Sequence, residues 1–140
     1  MKRLISVSFA YAIAAMCGGV FFREFTKFTG FTGITALSVV HTHLFVLGML
    51  FFLIAALCSA VFPLMEQKKF RVFMITYNIG VPLLAVMLLI RGVFEVLGTD
   101  LSSAADAAVA GVAGLGHVLA GVGIIFFFLA LFQAVSSGRN

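Results

Sequence analysis

Val39-Val40-His41-Thr42-His43-Leu44-Phe45-Val46-Leu47-Gly48-Met49-Leu50 sets two histidines, one residue apart, inside an apolar run. Imidazoles are expensive to strand in hydrocarbon, so two of them in one membrane-length segment require partners. A helix turns about 100° per residue and sends side chains two positions apart to nearly opposite sides. One metal ion cannot easily take both. The spacing suits a helix that stands between two sites and gives one axial ligand to each.

Outward from this run the chain stays apolar. Of 140 residues, 63% are hydrophobic, with 17 Phe, no Trp and only 10% charged residues. A chain of this size cannot hide that much apolar surface in a soluble core. Four stretches, 4–22, 34–62, 70–97 and 107–135, each come near the roughly 20 residues that cross a bilayer as a helix. Gly30 and Gly33 interrupt the first connection, Pro63 ends the second span, and Gly98-Thr99-Asp100 with Ser102-Ser103 separates the third from the fourth. All connections are short, which predicts an all-α, up-down four-helix membrane bundle forming a single domain over residues 1–140. Met1-Lys2-Arg3 before an apolar segment looks like a secretory signal, but Met16 is too bulky for the position before a cleavage site at Cys17. The segment is read as a retained first span.

Positive charge sets the expected orientation. Lys2, Arg3, Lys68, Lys69, Arg71 and Arg139 fall at the N-terminus, the second connection and the C-terminus, which alternation places on one side, the cytoplasmic one. Arg23, Glu24, Lys27, Glu95, Asp100 and Asp106 fall on the other. The net charge of +4 is therefore a topology signal, with no concentrated basic face for nucleic acid. Cys17 and Cys58 lie toward opposite ends of their spans, too far apart for a disulfide. With no Cys-x-x-Cys-His attachment motif, any haem would be held without thioether bonds.

Depth brings the polar residues together. At about 1.5 Å per residue, His41 and His43 lie roughly 10 to 14 Å below Ile34, and His117 lies at a similar depth in the fourth span. Arg91 occupies the outer end of the third span and Arg23 that of the first. The expectation is a buried layer of three imidazoles beneath arginines, which is the chemistry of a haem b site: neutral imidazole ligates the iron and guanidinium groups pair with the propionates. Gly48, seven residues after His41, and Gly114 and Gly121, flanking His117, are the positions where missing side chains would let a flat ring approach. Glycines of the set Gly111, Gly114, Gly116, Gly121 and Gly123 also suit close helix contacts. Tyr77-Asn78 before Pro82 is expected to hydrogen-bond neighbouring helices.

The stretch from His41 to Met49 resembles the tenth transmembrane helix of the catalytic subunit, subunit I, of haem-copper oxidases. There an HxH pair near the outer side of a helix running in the same direction ligates two different haems. The whole chain, including Phe22-Arg23-Glu24-Phe25-Thr26-Lys27-Phe28 and His41-Thr42-His43-Leu44, also resembles a family of uncharacterised small four-span bacterial membrane proteins. The oxidase subunit arranges twelve spans with pseudo-threefold symmetry, so the resemblance implies that a four-span chain could imitate it as a homotrimer, with His41 and His43 as ligands. This chain has no adjacent His-His pair and no histidine-tyrosine motif, so the likeness does not extend to the copper centre or to oxygen reduction to water.

These observations predict a b-type haem protein of the bacterial cytoplasmic membrane, engaged with a redox partner or a diatomic gas and surrounded by lipid and by the other copies of a homotrimer. Two readings of other classes compete. A transition-metal transporter or sensor would use His41 or His43 with His117, and a structural assembly subunit would use the histidines as hydrogen-bonding groups between helices.

Overall fold

The computed structural model describes residues 1–137, and all of the regular structure in it is helical. Four helices are long and apolar enough to cross a membrane: Lys2–Thr29, Leu37–Val61, Lys68–Leu97 and Ser103–Ser137. Arg139, assigned by its charge to the same side as Lys2, lies outside the described residues.

The first helix is longer than its apolar stretch. Sequence hydropathy ends it near Phe22, yet it continues through Arg23, Glu24 and Lys27 to Thr29. Arg, Glu and Lys are good helix formers, so nothing in that segment breaks the backbone pattern. Twenty-eight residues rise about 42 Å, beyond the roughly 30 Å of hydrocarbon, which leaves the charged end as a helical extension past the apolar layer. Termination waits for Gly30, whose φ of 66° is left-handed. Gly98, with φ 63°, ends the third helix in the same way, and the second stops at Val61 before extended Phe62 and Pro63.

Successive helices are antiparallel. In the first pair, Gly18 and Gly19 lie against His41, and Tyr11 lies against Gly48. Leu37 meets Gly92 at one end of the second pair, and the Tyr77 hydroxyl donates to the Leu47 carbonyl (2.8 Å) farther along. Gly80 faces Gly116 and Ala120, while Gly123 faces Tyr77, in the third pair, which is the most extensive helix contact of the molecule. A Cβ on Gly80 would stand 2.5 Å from the Ala120 nitrogen, so these two backbones approach as closely as small residues permit. The first and fourth helices share no extensive contact among the described residues, leaving the arrangement open on one side. Beneath the histidines, Tyr11, Phe52, Phe51, Tyr77, Phe73 and Phe127 form an aromatic cluster that draws side chains from all four helices. Phe9, Val20, Leu57, Val118 and Phe132, each more than half exposed, form part of the outer apolar surface, as hydrocarbon surroundings allow.

The second helix is not uniform. Leu37–His43 and Phe51–Val61 are α-helical, but Leu44–Leu50 between them winds in wider turns with bonds from residue i to i+5. Neighbouring helices hold that widened segment from two sides: Ser8 donates to the Met49 carbonyl (2.7 Å) and Tyr77 to that of Leu47. Asn78, expected to reach a neighbour, instead donates to Met74 of its own helix (2.7 Å), the carbonyl one turn back being within its short reach.

Candidate functional site

The outer end of the second helix is tied to the third before the histidines are reached. Thr35 donates to the Gly92 carbonyl (3.0 Å) and accepts from the Leu37 amide (3.1 Å), while the Glu95 carboxylate accepts from the Ala36 amide (2.6 Å). Free amides of a helix start are thus satisfied by a neighbouring helix and the preceding residue. These ties fix the rotation of the turn that carries His41 and His43.

The two histidines then diverge as their spacing requires. His41 packs against the first helix, its Cβ 3.7 Å from where a Cβ on Gly19 would lie, and its Nδ1 is buried with no partner among the described residues. His43 is half-buried beside Thr42, Val46 and Leu47, and donates from Nδ1 to the Val39 carbonyl (2.7 Å). His117 is exposed and donates from Nδ1 to the Ala113 carbonyl (2.9 Å). A carbonyl only accepts, so Nδ1 carries the proton in both rings and Nε2 keeps its lone pair. A main-chain carbonyl on one ring nitrogen with the other left open is how metal-ligating histidines are commonly oriented.

The expected buried layer of three imidazoles is absent from the single chain: His41 and His43 are half-buried and His117 is exposed. The open packing of the four helices is the physical reason. Arg91, Gly114 and His117 do come together, lining one pocket of about 340 Å³ with Met87 and Leu88. Arg91 there pairs with Asp106 at 2.8 Å. Arg23 stands apart, largely exposed on the helical extension, with Glu24 3.7 Å away. The space over Gly48 is taken by the Tyr11 ring, whereas a Cβ on Gly114 or Gly121 would meet nothing within 4 Å. Gly116 and Gly123 serve helix contact; Gly111, Gly114 and Gly121 do not.

Sequence reasoning gave no positioning role to Ser8, Tyr11, Thr35 and Glu95, which set the second helix in place. For Ser8 and Thr35 the signal was present: a hydroxyl inside an apolar span must find an acceptor, and a carbonyl on the neighbouring helix is the available one. Among the described residues, no group of three or more His, Cys, Asp or Glu side chains stands close enough to hold a metal ion.

With the helices and histidines placed, comparison of the full sequence with known families gives a match that covers residues 1–134. The chain belongs to the family described as a protein of unknown function, DUF2871. No curated protein and no solved structure matches it.

Proposed function

We propose that this DUF2871 chain is a membrane protein that holds haem b without covalent attachment, for electron transfer or the binding of a diatomic gas. One observation supports this most: His43 and His117 each have Nδ1 anchored on a main-chain carbonyl and Nε2 open, within helices long and apolar enough to cross a membrane. Two imidazoles are only half of the usual tetrahedral zinc set, but they are a full axial set for iron whose four other ligands belong to the porphyrin. That difference favours haem over a transition-metal transporter or sensor. Arg91, beside His117, is suited to a propionate, and bound haem would supply one-electron chemistry or an open iron position for a gas.

The likeness of the HxH helix to haem-copper oxidase, and the homotrimer it implies, belong to this same reading. So do the bacterial cytoplasmic membrane and cytoplasmic termini, supported by the basic residues Lys2, Arg3, Lys68, Lys69 and Arg71. The test is an absorption spectrum of protein purified in mild detergent from haem-sufficient cells, reduced with and without carbon monoxide. Haem bands at near-stoichiometric intensity are expected. Colourless protein would overturn the reading and leave the histidines as groups that join helices. Native mass spectrometry should find three chains; an intact haem-loaded monomer would remove the trimer.

A further inference from the structure

We infer that His43 and His117 of the same chain are the two axial ligands of one haem, seated in the cleft between the second and fourth helices with the third helix as its floor. This rests on the haem reading above and makes it specific.

Depth is the first argument. The third helix serves as a ruler, because Leu37 lies at Gly92 and Gly116 lies between Gly80 and Leu84. Counting six residues inward from Leu37 puts His43 near the level of Val86, and His117, one residue inward of Gly116, stands near that of Pro82. The two imidazoles therefore share a level to within about one helical turn.

Direction is the second. His43, Leu47 and Phe51 recur at four-residue spacing through the widened part of the second helix, and so follow one face. Along that face the Leu47 carbonyl takes the Tyr77 hydroxyl of the third helix, and the Phe51 ring touches Tyr77 at 4.8 Å and Phe127 of the fourth helix at 5.2 Å. The face that carries His43 is thus turned toward the third and fourth helices. On the fourth helix, His117 shares its face with Ile124, seven residues on, which packs against the core. Met87, Leu88 and Arg91 of the third helix line the pocket of His117. His41, by contrast, faces the first helix and points away from this cleft.

Room is the third. Helices in direct contact lie about 8–10 Å apart, too close to admit a macrocycle between their imidazoles. The second and fourth helices each pack on the third but meet one another chiefly at Phe51 and Phe127, below the histidines. No extensive contact closes the cleft above it, and His117 is exposed there while His43 is half-buried. Gly114 adds an unfilled position on the His117 side, and Arg91 stands above it for a propionate.

Two imidazoles on one iron make it six-coordinate and low-spin, which selects electron transfer over gas binding. Purified full-length protein should show a low-spin spectrum unaffected by carbon monoxide. His43→Ala and His117→Ala should each become high-spin and bind carbon monoxide, with added imidazole restoring the low-spin bands, while His41→Ala keeps the wild-type spectrum. His117→Met, which leaves an axial ligand in place, should raise the reduction potential. A low-spin spectrum in either single Ala variant, or an unmoved potential in His117→Met, overturns the pairing while the haem reading stands. Low-spin bands regained on co-expressing the two Ala variants would also overturn it, by showing ligands drawn from two copies. Wild-type protein without haem defeats both.

Discussion

The third–fourth helix pair and the middle of the second helix solve the same problem in opposite ways. Between the third and fourth helices, Gly80 and Gly116 let regular helices approach until main chain touches main chain, and Gly123 makes room for the Tyr77 side chain. In the second helix, Leu44–Leu50 gives up regular winding, and side-chain hydroxyls from the first and third helices bind its carbonyls. The first solution depends on shape alone and fails when volume is added. The second depends on directed hydrogen bonds, and it lies directly beneath the HxH motif.

The sharpest way to break the contrast is to add one methyl group. Gly80→Ala puts a carbon 2.5 Å from the Ala120 nitrogen, where backbone must move, and should cost about 1–3 kcal/mol in thermal or SDS-induced unfolding of the detergent-solubilised protein. Gly111→Ala, on the same fourth helix as Gly116 but with open space, should not lower the stability. Equal sensitivity at both positions would mean that the glycines do not act through helix contact. Next in size is Tyr77→Phe, which removes a hydroxyl and keeps the ring in the aromatic cluster; loss of about 1 kcal/mol is expected, with faster amide exchange confined to Leu44–Leu50. Ser8→Ala should give a similar but smaller change, roughly 0.5 kcal/mol. Arg91→Ala comes last. Its partner Asp106 is largely exposed, so stability should move by no more than about 0.5 kcal/mol, whereas retention of haem, if bound, should weaken.

The number of helices and most of their limits are legible in the sequence, because a bilayer demands about 20 apolar residues per crossing and glycine or proline marks each exit. The first helix overruns its apolar stretch because hydropathy reports where hydrocarbon ends, and a helix of Arg, Glu and Lys does not end there. The divergence of His41 and His43 was also legible, since two helical steps dictate it. The widened turn was not: Leu44-Phe45-Val46-Leu47-Gly48-Met49-Leu50 has no residue that marks a change of winding, and the groups that bind its carbonyls, Ser8 and Tyr77, lie 36 or more and 27 or more positions away in sequence. Gly48 looked like space for a flat ring, and a flat ring does fill it, but the ring is that of Tyr11.

The ties of Thr35 and Glu95 to the third helix fix the outer half of the second helix, and the aromatic cluster fixes its inner half. Between them, the widened segment works as a phase adjuster. One residue fewer in Leu44–Leu50 would restore ordinary winding with the halves still in phase, whereas ordinary winding of all seven residues would turn the halves relative to each other by about 100°. The bearing of His43 relative to the aromatic cluster is therefore stored in the winding of a stretch that has no polar side chain of its own.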